Sequence, residues 1–316
     1  MIRKLLSSIL GTSSASVPPQ LPVVSRDGIA SLLVMDANVP QVHLAKLEAW
    51  LESQRMPNDE IHRRAVAAAW LDAVRDALAV DHLRLRTANT EAIVPRAGAV
   101  GVDVSAGGER AIAVIHDALR KIRDDAPIRP IAIVAIAPTD AFIDFTSHFF
   151  SEDSHTATFG GLYIREGTVM PLLAINAMQK GHVLSVLAHE LTHHALRDAR
   201  LPLWIEEGLT QMMEERVTGL LGFTLTESER EEHANEWTRD ALQEFVEGAS
   251  FFSPEGDRQR LAYHLAQWFS RACLTTQPDR YFAFARACVR EDWQAAFRTQ
   301  FRASPVDALH QLVHGG

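Results

Sequence analysis

Residues 187–209 read LAHELTHHALRDARLPLWIEEGL, with three histidines and three glutamates. Val183, Leu184, Val186 and Leu187 lead into the stretch with helical apolar spacing. Pro202 must end that helix, and a second one is expected to begin near Trp204. Two helices joined by a short turn pack face to face, so this stretch predicts a helical hairpin.

Within the first helix, His189-Glu190-Leu191-Thr192-His193 is an HExxH motif. Positions four apart lie one turn above each other, so His189 and His193 point the same way. Two imidazoles so placed suit a zinc ion, and Glu190, offset by about 100°, lies beside the metal without binding it. A carboxylate there can take a proton from an activated water and later return it to a leaving amine. A zinc site of this kind needs a third protein ligand, which the second helix can offer as Glu206 or Glu207. The two differ by about 100° around a helix, so only one can face the histidines on a shared metal. A Glu190/His194 pair would strand His189 and His193. His194 therefore reads as a polar neighbour, and His182 as a core-edge histidine.

The segments HELTHHAL and LPLWIEEGLTQMMEE together resemble the gluzincin, or peptidase MA-like, zinc metallopeptidases, which pair HExxH with a later W-x-x-E-G. The resemblance is strong over 183–215 and looser over 82–315. It implies one zinc per chain held by His189, His193 and Glu207, the glutamate before the glycine. Glu190 is then the general base. Thermolysin-like relatives carry an aspartate one turn after that glutamate, where this chain has Gln211, so Gln211 or Glu214 is expected to accept a histidine N–H. The family often supplies a tyrosine or histidine to the developing oxyanion, which implies Tyr263 here, ahead of His264 and Tyr163. Trp204 is expected to pack over the first helix.

Around the motif the chain divides into three parts. Residues 1–25 read as a flexible lead-in, residues 26–81 as a helical region, and residues 82–316 as the gluzincin-like domain. VHLAKLEAWL sets Val42, Leu44, Leu47 and Leu51 near one face. Asn58 and Asp59 can cap a helix striped by Ile61, Val66, Trp70, Val74 and Leu78. These stripes could cover the rest of the chain or meet a partner or second copy. HLRLRT (82–87) alternates as a strand, Glu109–Ile122 reads as an amphipathic helix, and IRPIAIVAIAP as a buried strand. FGGLYI (159–164) and PLLAINA (171–177) are two short strands about a turn at Arg165–Thr168, the second offering an open edge to an extended peptide. From Gly181 the pattern is helical. Strands before helices predict an α+β fold: a small mixed sheet, then a zincin-type helical region, preceded by N-terminal helices.

Bulk composition agrees with a globular chain. It has 316 residues, 47% hydrophobic and 22% charged, with a net charge of −9, which disfavours a nucleic-acid partner. No apolar run is long enough to span a bilayer. Two cysteines, Cys273 and Cys288, exclude a disulfide scaffold and read as buried thiols. MIRKLLSSIL has the charge pattern of an export signal, but its apolar run is short and broken by serines, so a cytoplasmic location is expected, with export as the alternative. The expected function is peptide hydrolysis. An amidase using the same site, or a non-catalytic scaffold on a peptidase fold, is the alternative.

Overall fold

In the strands, alternate side chains divide between two apolar cores. Ala92, Val94, Ile131, Ile133, Ala135, Leu173 and Ile175 join one core. Ile93, Ala132, Val134, Ile136, Leu172 and Ala174 join the other. A period of two does this in any sheet covered on both faces, and it accounts for the continuous apolar run IAIVAI. The structure is a computed structural model that describes residues 18–36, 39–78, 81–96, 100–123, 128–149, 160–165, 167–178, 183–219 and 224–315. The signal-like opening, His182 and residues 220–223 of the expected loop lie outside them.

Among the described residues the elements run as follows. A hairpin of β1 (Leu33–Asp36) and β2 (Val39–Val42) precedes α1 (Leu44–Ser53) and α2 (Glu60–Ala77). Next come β3 (His82–Arg86), β4 (Thr90–Pro95), α3 (Gly108–Arg123), β5 (Ile131–Ile136), α4 (Thr139–Ser147), β6 (Gly161–Ile164) and β7 (Leu172–Asn176). The helical part comprises α5 (Val183–Leu196), α6 (Leu203–Thr218), α7 (Glu227–Glu236), α8 (Arg239–Val246), α9 (Gly256–Thr276), α10 (Pro278–Ala287), α11 (Trp293–Phe301) and α12 (Pro305–His314). The fold is α+β, as expected.

The larger sheet has the order β3-β4-β5-β7-β6. β4, β5 and β7 are parallel, and the outer strands β3 and β6 are antiparallel to their neighbours. This corrects the expected edge. Leu172–Asn176 is an interior strand, because β5 and β6 pair with its two sides, and the outermost strand is Gly161–Ile164. A run of five buried residues suits an interior position. The β1–β2 hairpin and the helix at 139–147 had no counterpart in the sequence reading, and Val42 lies in β2 rather than on the helix face.

One sheet face carries α2, whose Val66, Trp70, Leu71 and Val74 are buried against it. That stripe is therefore covered by the chain's own strands, and Ile61 at its start stays exposed. Asp59 caps α2 by accepting the His62 N–H. A buried charge cluster ties the same helix to the sheet. Arg64 of α2 donates to Glu91 of β4 at 3.0 Å, and Arg84 and Arg86 of β3 donate to the same fully buried carboxylate at 3.1 and 2.8 Å. α1 and α4 share the core of α2, and the opposite face carries α3 and α5, with α6 and the C-terminal helices beyond them.

Trp204 is fully buried. Its ring packs against Phe245, Phe269, Trp293 and Phe297, so it anchors α6 to the C-terminal helices. Cys273 and Cys288 are buried free thiols, each pushed up to about 12 by burial. Among the described residues no helix is long and apolar enough to cross a membrane.

Candidate metal centre

Two glycines set the spacing around the motif helix. A Cβ on Gly161 of β6 would collide with Val186 and press on Glu190, both on α5, so the outer strand lies on the motif helix only because glycine stands there. A Cβ on Gly208 of α6 would run into the Ala266 carbonyl and Ser270 Oγ of α9. The glycine after Glu207 is thus the point where α6 touches the backbone of α9. The contact also brings Tyr263, one turn before Ala266, toward the centre.

α5 and α6 run antiparallel as a hairpin. His193, near the end of α5, meets the start of α6, and His189, one turn earlier, meets residues further along it. His189 Nε2 and His193 Nε2 lie 3.3 Å apart. Glu207 Oε2 is 3.4 Å from His189 Nε2, and Glu207 Oε1 is 3.6 Å from His193 Nε2. For bonds of about 2.0–2.1 Å at tetrahedral angles, ligand atoms stand roughly 3.3–3.4 Å apart. One ligand atom from each of the three groups lies within 4.8 Å of the other two, close enough to share one ion, and among the described residues this is the only cluster of its kind. Glu207 is 6% exposed, which is rare for a glutamate without a cationic partner.

The other histidine nitrogens also meet carboxylates. His193 Nδ1 is 2.7 Å from Glu206 Oε1. His189 Nδ1 is 3.6 Å from Glu214 Oε2, and Glu214 in turn accepts a hydrogen bond from Ser185. Thr210 Oγ1 lies 3.3 Å from Glu207 Oε2 and donates to it. Glu206 therefore faces the nitrogen of His193 that points away from His189, and does not compete with Glu207. Gln211 shows no contact with either histidine, and Glu214 takes the position expected of one of the pair. Glu206 in this setting, Ser185, Thr210 and Gly161 were missed in the sequence. The doublet EE after WI was the available signal, since adjacent carboxylates 100° apart can reach two edges of one ring.

The charges are strongly coupled. Burial pulls His189 down, but hydrogen bonds to Glu207 and Glu214 outweigh it and hold its pKa well above the ordinary histidine value. His193 is raised as well, with Glu207 and Glu206 overcoming burial. Glu190 is raised, chiefly by burial, with the histidines opposing. Burial would also raise Glu207, but the two histidines outweigh it and lower its pKa.

Glu190 accepts the main-chain N–H of Tyr163. The Asn176 N–H donates to the Gly160 carbonyl at 2.8 Å, and Gly161 pairs with Ile175. Antiparallel alternation then turns the main-chain groups of Gly161 and Tyr163 to the open side of β6. Glu190 thus sits where the outer strand meets the histidine-bearing helix. Tyr263 packs edge-on to Phe251, and its hydroxyl pKa is raised by burial together with the Glu207 and Glu190 charges.

His194 is kept out of the cluster by its own partners. Its Nε2 lies 2.9 Å from the Arg129 carbonyl, and its Nδ1 is 3.2 Å from Tyr163 Oη and 3.0 Å from Arg197. It clamps α5 to β6. His264 lies on a different face of α9, 6.0 Å from the His233 ring. No family model matches this chain, and no curated protein shows significant similarity to it.

Proposed function

We propose that the chain is a zinc-dependent peptide hydrolase of the gluzincin kind, holding one zinc ion through His189, His193 and Glu207. The observation that carries this reading is that one ligand atom from each of His189, His193 and Glu207 lies within 4.8 Å of the other two, with the two Nε2 atoms 3.3 Å apart. Spacings of this order suit ligands of one zinc ion, and HExxH stands beside them. A zinc ion there supplies a Lewis acid for a carbonyl oxygen and lowers the pKa of water toward neutrality.

The remaining work falls to this chain's side chains. Glu190, whose pKa burial raises above the ordinary glutamate value, takes a proton from the attacking water at its carboxylate and returns it to the departing amine. Tyr263, whose hydroxyl stays protonated, donates to the oxygen that gains charge on the scissile carbonyl. The outer edge of β6 offers the Gly161 main-chain groups and the Tyr163 carbonyl to an extended peptide, giving recognition with little side-chain preference. A peptide or protein substrate, no nucleic acid and a cytoplasmic setting complete the proposal.

The test combines metal content with turnover on a peptide library. Wild type should carry about one zinc per chain and cleave peptides. Glu190→Gln should keep the zinc and lose cleavage by about 10²-fold or more. Turnover of small amides alone would favour an amidase. Zinc without turnover would favour a scaffold.

A further inference from the structure

The two histidines share one arrangement: Nε2 turned toward the other histidine and Glu207, and Nδ1 turned toward a carboxylate of α6. The nearer of these carboxylates, Glu206, was read in the sequence only as a rival ligand. We infer that Glu206 is a positioning residue that fixes the ring and tautomer of His193 through Nδ1, leaving Nε2 bare for the metal, and that Glu214, steadied by Ser185, does the same for His189. This rests on the zinc-centre reading above and extends it. A single helix then supplies one ligand and the supports of both others.

The alternative for Glu206 is an acidic side chain near a helix N-terminus, favoured there by the helix dipole. A side chain serving only the dipole has no reason to turn inward. Glu206 instead reaches back to α5 and meets Nδ1 at 2.7 Å, the length of a charge-assisted bond. An imidazole whose Nδ1–H is donated to a carboxylate has its lone pair on Nε2, the atom 3.3 Å from the second histidine. A ring without that acceptor can turn over or carry its proton on Nε2. Either loss removes a ligand without touching one. The orienting carboxylates sit one residue before Glu207 and seven after it, and the site does not need an acceptor at Gln211.

The experiment is a zinc affinity measured by competition with a chromophoric chelator at neutral pH, together with the His193 Nδ1–H resonance of the zinc-loaded protein. Glu206→Ala should weaken zinc binding by about 10–100-fold and lose the downfield, slowly exchanging Nδ1–H signal. Glu206→Gln, whose amide oxygen still accepts, should recover most of both. If the alanine variant does not fold, Glu206→Met carries the same prediction, since it has a similar length and no acceptor. Unchanged affinity and an unchanged Nδ1–H signal in the alanine or methionine variant would overturn the positioning role and leave the zinc centre standing. Complete loss of zinc in Glu206→Gln, with zinc retained in Glu207→Ala, would overturn it by making Glu206 the ligand. A wild-type chain that takes up no zinc would remove the centre itself.

Discussion

Glu206 and Glu207, neighbours in the chain, address opposite nitrogens of one ring: Glu206 Oε1 stands 2.7 Å from His193 Nδ1, and Glu207 Oε1 stands 3.6 Å from His193 Nε2. The 100° between successive helical residues lets α6 grip the imidazole from two sides. The two carboxylates therefore make separable demands on a metal, and their substitutions should differ in kind.

Glu207→Ala should strip the centre of zinc, with a larger loss of affinity than the roughly 10–100-fold expected for a positioning partner. Elemental mass spectrometry on tag-free protein checks it. A variant that still carries one zinc per chain would exclude Glu207 as a ligand.

Tyr263→Phe should leave the zinc in place and lower kcat by about 10²–10³-fold, the usual cost of removing one oxyanion donor. Parallel zinc content and peptide kinetics decide the matter. Undiminished turnover would reduce Tyr263 to a packing partner of Phe251.

Gly208→Ala should destabilise the fold by about 1–3 kcal/mol or more, because the added methyl meets the Ala266 carbonyl. Ser270→Ala should not rescue it, since the backbone oxygen remains. Urea unfolding of the single and double variants gives the comparison, and full rescue would contradict the contact.

Glu91→Gln should cost about 3–5 kcal/mol, because it leaves the buried Arg64 without its carboxylate. Chemical denaturation reads this directly. A loss below 1 kcal/mol would mean that the charge cluster does not hold α2 to the sheet.

His233 supplies an acid limit. Its Nδ1 accepts from Trp237 Nε1 at 2.8 Å, and burial together with His264 and Arg260 lowers its pKa to about 4. As pH falls below about 6.5 the unfolded chain takes up this proton first, so stability is complete above that value and drains away toward pH 4. The total is roughly 2–3 kcal/mol. A His233→Gln variant should show a flatter stability profile between pH 6.5 and 4 than wild type. Parallel profiles would assign the acid sensitivity elsewhere.

The legible parts of the chain were the local ones. HExxH places two rings on one helix face by spacing alone, and Asp59, the buried strand at 131–136 and the start of α6 just after Pro202 follow from short-range chemistry, whereas α5 ends at Leu196, before the proline expected to stop it. The interior strand was misplaced because the apolar run Leu172–Ile175 reads alike at an edge and between two neighbours, and pairing partners lie far off in sequence. The aromatic partners of Trp204 were hidden for the same reason, since Phe245, Phe269, Trp293 and Phe297 all lie far along the chain.

The sequence by itself therefore determined the α+β class, the helical hairpin and the two histidines, since each depends on backbone periodicity within a few residues. Only the tertiary structure set Glu206 against His193 Nδ1 and Glu207 on the Nε2 side, brought Glu214 to His189, and set β6 beside Glu190. Those outcomes depend on how closely separate elements approach, and here Gly161 and Gly208 set that approach by what their missing side chains leave room for.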